Sequence, residues 1–271
     1  MKKSIIAASL LALGSAPAFA TDYSDGDLSK NDYKWMQGNL MYSVGELPSN
    51  TGGSDHDYLE LEFGGRAGIL DYYGYVDIFN LTNSDSSDKA SSAKMFAKLA
   101  PRISLDGLFQ TDLSMGPVQE LYLASVYNVS GANDVNNYSV GLGSDVMVPW
   151  FGKIGLNAYA YYDLNQKDWN GYQISTNWFK PFFFFEGGSF IAYQGYIDYQ
   201  FGMDDDAVGN ASHGGAMFNG IYWHSENFAV GYGLKAYNNI YGIDDGVANW
   251  GGPNNVESTG ISHYFAATYK F

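Results

Sequence analysis

Several stretches of this sequence place residues that could hold a small polar solute at every second position. Tyr73, Tyr75, Asp77 and Phe79 form the first such set, Lys98 and Arg102 share one parity further on, and Tyr159 and Tyr161 follow. Gln194, Tyr196, Asp198 and Gln200 form another, with Asn219, Lys235 and Tyr264 later in the chain. Aromatic faces stack on planar rings, while carboxylates, amides and cations bond hydroxyls and ring edges. The same side chains could instead fill an interior and satisfy one another without binding anything. Lys98 and Arg102, two pleats apart, are expected to be neutralised across such an interior by Glu60 and Glu62.

Residues for catalysis do not assemble in the same way. His56, His213, His224 and His263 are scattered, and neither G-x-S-x-G nor H-E-x-x-H occurs. There is no cysteine, hence no thiol nucleophile and no disulfide framework. The expectation is no catalytic residue, no metal site and no cofactor, because a base, a nucleophile and an orienting group, or clustered ligands, would be needed.

The elements that would position these residues are strands. Period-two alternation dominates, in segments of about ten residues separated by Gly, Asn, Asp and Ser clusters. From Trp35 to Val44, Met36, Leu40, Tyr42 and Val44 take one face and Gln37, Asn39 and Ser43 the other. From Tyr58 to Arg66, Leu59, Leu61 and Phe63 alternate with Glu60, Glu62 and Arg66. Comparable segments lie at 70–80, 94–104, 117–128, 136–148, 153–163, 169–180, 189–201, 214–224, 227–237 and 258–271, giving twelve. The long polar connections 45–56, 81–93, 202–213 and 238–257 alternate with short ones such as 149–152 and 225–226, except at 105–116. Writing an apolar and a wet face alternately is what a barrel in a membrane requires. The predicted fold is therefore all-β, a transmembrane antiparallel β-barrel of about twelve strands with both termini periplasmic.

Composition and the chain start agree. Thirty-three glycines, 23 tyrosines and 17 phenylalanines accompany no apolar helix-length run beyond the start. Lys2 and Lys3, the apolar run Ile5 to Leu13 and Ala18-Phe19-Ala20 predict a cleaved signal peptide over 1–20, leaving one barrel domain over 21–271. Removing those two lysines takes the formal net charge from -15 to -17, which repels nucleic acid. Trp150 and Phe151, Trp178 and Phe179, Phe182 to Phe185, and Tyr222 and Trp223 read as girdles at headgroup depth. Asp204-Asp205-Asp206 and Asp244-Asp245 fall in predicted outer loops and read as solvated; divalent cations bridging them to lipopolysaccharide are the alternative.

The order of several short motifs resembles the nucleoside-specific Tsx channel family, and more closely its OmpK branch. They are Met95-Phe96, Pro101-Arg102-Ile103-Ser104-Leu105-Asp106, Gly116-Pro117 before Glu120-Leu121-Tyr122, Trp178-Phe179-Lys180-Pro181, Gly195-Tyr196-Ile197-Asp198-Tyr199, and 260–271 ending in Phe271. The resemblance implies a monomeric twelve-stranded barrel in the Gram-negative outer membrane, among lipid and lipopolysaccharide, passing nucleosides by diffusion. It also implies outer loops that serve as a bacteriophage receptor. The alternatives are a surface receptor or adhesion barrel with a plugged lumen, and an outer-membrane hydrolase.

Overall fold

The computed structural model describes residues 23, 25–50, 54–82, 93–131, 135–249 and 254–271; the expected signal peptide lies outside the described residues. Among them the chain forms β1 (Tyr33–Glu46), β2 (Ser54–Ala67), β3 (Leu70–Phe79), β4 (Met95–Ser104), α1 (Leu105–Phe109), β5 (Val118–Ser130), β6 (Asn136–Val148) and β7 (Gly152–Asp163). β8 (Asp168–Phe184), β9 (Phe190–Phe201), β10 (His213–His224), β11 (Phe228–Asn238) and β12 (Gly260–Lys270) complete it. Each strand pairs antiparallel with its sequence neighbours, and β1 pairs with β12 to close the barrel. Closure leaves no strand edge to be satisfied in lipid. Every segment read from the alternation overlaps one of these strands.

Alternation along each strand sets the two faces. In β12, Ser262, Tyr264, Ala266, Thr268 and Lys270 are buried, while Ile261, Phe265 and Tyr269 are exposed on the outer wall. Residues directly opposed in antiparallel strands share a face, so register carries the inner set around the barrel. One inner row runs Thr268, Asn39, Glu60, Asp77 and Phe96 across β12, β1, β2, β3 and β4.

Both termini share one end of the barrel with the turns 68–69, 149–151, 185–189 and 225–227. The connections 47–53, 80–94, 202–212 and 239–259 lie at the opposite, loop end. The stretch after β4, irregular in sequence, is an ordered cap at the terminal end. Ser104 Oγ accepts from the Gly107 backbone N–H at 3.0 Å and starts α1. Asp106 then accepts from the backbone of Leu113 at 2.9 Å and Leu121 at 3.0 Å, tying the return to β5. Burial holds the Asp106 carboxyl above the usual carboxylate range. Tyr23 is buried with its ring beside the Arg66 guanidinium at 5.4 Å and close to Gly107 of α1, so Tyr23 and α1 pack together at this end of the barrel.

The aromatic clusters divide. Trp150 and Phe182 to Phe185 are exposed near the terminal end, as amphipathic and apolar girdle residues would be. Phe179 and Tyr222, expected in the girdle, turn inward instead, because their register partners Gln194 and Ala192 belong to the inner set.

Candidate functional site

The interior of the barrel is the candidate site, and its residues fall into two groups. Tyr73, Tyr75, Asp77, Phe79, Lys98, Arg102, Tyr159, Tyr161, Gln194, Tyr196, Asp198 and Lys235 all take inward register positions. Asn219 does not. It pairs with Gly195 on the outer face, where its side-chain carbonyl accepts from the Tyr193 hydroxyl. Its neighbours Phe218 and Gly220 take the inward positions of that strand, so the polar side chain is satisfied locally on the lipid side.

Near the terminal end the charged residues saturate one another. The Arg66 guanidinium donates to Glu120 at 2.9 Å, and Ser104 Oγ donates to the same carboxylate. Arg102 Nε donates to Asp71 at 2.8 Å and its terminal nitrogen to Asp145 at 3.0 Å, while its guanidinium lies 4.0 Å from the Tyr122 ring. Lys153 Nζ at 3.0 Å and the Tyr122 hydroxyl at 3.2 Å also donate to Asp145. Bidentate and charge-assisted bonds of this kind fix geometry as well as energy.

Midway along the lumen the pairing differs from the sequence expectation. Lys98 Nζ donates to Asp198 at 3.0 Å, an ion pair from β4 to β9 that crosses the interior. Ser175 Oγ donates to the same carboxylate. The proposed partners Glu60 and Glu62 are held instead by Asn39, Gln37 and Tyr73, with Asn39 Nδ2 2.6 Å from Glu60 and the Tyr73 hydroxyl 2.8 Å from Glu62. The reason is the row Glu62, Tyr75, Lys98: β3 stands between the two strands, so the carboxylate and the ammonium share one wall with a tyrosine between them.

The crossing pair makes the lumen asymmetric. On the β5 to β8 side, Ala124, Val126, Ser139, Asn157, Tyr159 and Gln173 are buried, and Ala124, Val126 and Tyr159 pack into one apolar cluster with Ala100. On the other side Glu60, Glu62, Tyr73, Tyr75, Tyr196, Phe218 and Lys235 are only partly buried, among the buried Asn39, Asp77, Tyr222, Tyr237 and Tyr264. Tyr196 stacks on Phe218 with ring centroids 6.0 Å apart and planes at 17°. Phe218 meets Tyr264 edge-on at 5.9 Å, and Lys235 lies over the Tyr264 ring at 5.7 Å.

Two glycines allow the rings to lie flat. A Cβ on Gly233 would come within 2.3 Å of the Phe218 ring, and one on Gly231 within 2.2 Å of the Tyr222 ring. Phe218, Tyr222 and Tyr58 were not among the expected lumen residues. Their signal was the parity of β10 and β2 in register with neighbouring strands, which a single segment does not reveal.

A serine, histidine and carboxylate also meet, though far apart in the expected roles. His56 Nε2 lies 2.8 Å from Glu46, while Ser43 Oγ and Ser54 Oγ lie 3.0 Å and 3.2 Å from His56 Nδ1. Ser43 and His56 have no exposed surface, so no carbonyl can approach the hydroxyl.

Comparison with known proteins places this geometry. The family model described as nucleoside-specific channel-forming protein, Tsx, matches residues 30–271. The chain is 64% identical over 271 residues to outer membrane protein OmpK of Vibrio parahaemolyticus, covering 100% of both chains. It is 30% identical to nucleoside-specific channel-forming protein Tsx of Klebsiella pneumoniae, covering 97% of this chain and 99% of the relative. Among solved structures, the NanC porin superposes with a TM-score of 0.51 at 9% identity, covering 87% of this chain and 100% of that one, a likeness of fold alone.

Proposed function

The chain belongs to the Tsx family of outer-membrane, nucleoside-specific channels, and on that premise we propose that nucleosides diffuse passively through its open half-lumen. The observation that carries this reading is the stacked Tyr196 and Phe218 pair, in a lumen that also holds the partly buried Glu60 and Glu62. An aromatic face suits any base, and carboxylates held by amides keep acceptor capacity for ribose hydroxyls. Lys235, above the same aromatic wall, offers donors to a base edge or hydroxyl. Release requires that each contact stay weak, which shallow stacking beside water provides.

The rest of the reading follows the asymmetry of the ends. The loop end faces outward and the terminal end the periplasm, since short turns belong on the periplasmic side. Residues 1–20 are removed on export, the barrel acts as a monomer, and its outer loops are open to bacteriophage. It performs no hydrolysis: the serine of the Ser43, His56 and Glu46 group is sealed from solvent.

Single-channel recording in planar bilayers tests the reading. The purified protein is expected to conduct, and added adenosine to interrupt the current while ribose alone does so far less. Conduction without nucleoside block would reject the specificity. No conduction at all would favour the plugged receptor barrel.

A further inference from the structure

The chain that leaves β1 turns in over the mouth of the barrel. β1 bends where its pairing with β2 shifts between Ser43 and Glu46, and Gly45 takes φ 72°, a conformation glycine adopts without steric cost. Ser262, a buried inner residue of β12, donates from Oγ to the Gly45 carbonyl at 2.6 Å and so draws the bend to the lumenal side. From β2, His56 holds the root, with Nε2 2.8 Å from the Glu46 carboxylate.

Leu47 then reaches past β12. It is buried against Ala216, Tyr237 and Ile240, and it crosses Gly260, the first residue of β12, where a Cβ would stand 3.0 Å from Leu47 Cδ1. Beyond it Ser49 and Glu257 exchange two backbone hydrogen bonds, the Ser49 N–H donating at 3.0 Å and the Glu257 N–H at 2.8 Å. Residues Leu47 to Ser49 therefore form a strap, rooted on β2 and fastened over β10 to β12.

Register places this strap relative to the lumen. Ala216 pairs with the inward residues Asp198 and Tyr237, and the Tyr237 hydroxyl lies 2.7 Å from that of Tyr264, another inner residue. Ala216 and Tyr237 are the inward positions next to Phe218 and Lys235 on the side of the loop end. The apolar anchor of the strap thus sits directly loopward of the open half-lumen, and a solute entering that half passes beside it.

We propose that Leu47 and the strap it anchors set the bore of the outer mouth, so that solutes are sorted by size before any lumenal contact sorts them by chemistry. The proposal takes from the reading above the open half-lumen, and is independent of which solute uses it. An anchor in the wall and paired backbone beyond it hold one edge of the entrance in place, so the admitted cross-section is a property of the protein rather than of the solute.

Single-channel recording with uncharged polyethylene glycols of graded mass tests this. Leu47→Asp puts a carboxylate where burial would leave it unpaired, which releases the anchor; Leu47→Met keeps an apolar side chain there. On the loop side, L47D is expected to admit polymers that the parent and L47M exclude, while the limit on the terminal side stays unchanged. Heat-modifiable gel mobility checks folding. An L47D channel that folds and keeps the parent limit overturns the proposal and leaves the nucleoside reading intact; a parent that never conducts overturns both. A second variant serves if L47D does not fold. The chain has no cysteine, and Ser49 and Glu257 form a hydrogen-bonded antiparallel pair, with Cα atoms about 5.5 Å apart, within reach of a disulfide. Ser49→Cys with Glu257→Cys is expected to cross-link in the membrane and to conduct with the parent size limit. Failure to cross-link would take the strap off the mouth, and a current shut off by oxidation would mean that the strap must lift for passage; either overturns a fixed bore.

Discussion

Arg102 and Tyr196 both look inward, and both carry polar groups into the interior of the barrel, yet their surroundings are opposite. Arg102 spends its donors on Asp71 and Asp145 and its face on Tyr122. Around it Arg66, Glu120, Ser104 and Lys153 are likewise committed. Tyr196 stacks on Phe218 but stays partly open, and Glu60 and Glu62 of the same lumen are held by amide and hydroxyl donors. A lumenal side chain is available to a solute only to the extent that its bonding capacity is not already consumed by the wall. The saturated network near the terminal end therefore reads as architecture, and the open half-lumen midway as the site.

The largest effect should come from breaking the saturated region. Arg66→Ala leaves the buried Glu120 carboxylate without its cation and is expected to cost about 3–5 kcal/mol of stability, the usual penalty for removing one partner of a buried pair. Denaturant unfolding in detergent micelles would measure it. Channels that do fold should keep the parent's adenosine block. If R66A folds as stably as the parent and loses block instead, the division between the two regions is wrong.

Tyr196→Ala should do the reverse. Losing one stacking face is expected to weaken adenosine block by about tenfold, or about 1.4 kcal/mol, with little change in unfolding midpoint. Current-noise titration against adenosine gives the affinity, and the same denaturant series gives the stability. A large loss of stability with unchanged block would move Tyr196 into the structural class.

How far the sequence reached follows the same physics. Strand number, strand parity and the closing signal of β12 were legible, because lipid and water impose alternation on each segment independently. Tyr73, Tyr75, Lys98 and Asp198 were placed inward for that reason. What was not legible is anything that depends on strand-to-strand register. Alternation projected inward puts Asn219 in the lumen, whereas register turns it to the outer wall, where the Tyr193 hydroxyl satisfies it. Lys98 was matched to Glu60 and Glu62, although Tyr75 lies between Glu62 and Lys98 in one row. The cap formed by α1 and Tyr23 was also hidden, since it rests on side chains of Ser104 and Asp106 bonding backbone groups several residues away.

The Lys98 and Asp198 pair joins the two regions and should give a smaller effect than either. Its side chains are 18% and 27% exposed, so water screens the pair and its loss should cost under about 1 kcal/mol of stability. Lys98→Met removes the strut that separates the packed half from the open half. Single-channel conductance is expected to rise, and adenosine block to weaken by less than in Y196A. Unchanged conductance would mean that the crossing pair does not bound the pathway.

The smallest expected change in adenosine block concerns shape alone. Gly231→Ala adds one methyl carbon, with no charge, donor or acceptor, at a point 2.2 Å from the Tyr222 ring. Real Cβ atoms do not sit so close, so the ring must tilt away from the wall into the lumen. Tyr222 belongs to the inner set and lies beside Gln194 and Gly220 at the lower part of the open half. A tilted ring narrows the passage, so conductance should fall by a fraction, at a cost of about 1–3 kcal/mol in stability because the clash is with the root of a buried ring, while the Lys98 and Asp198 pair stays formed. The comparison with K98M is then direct: one variant widens the same half-lumen by removing a strut, the other narrows it by raising a ring. If both variants shift conductance in the same direction, the ions are not passing between these walls, and the open half has been assigned to the wrong side of the crossing pair.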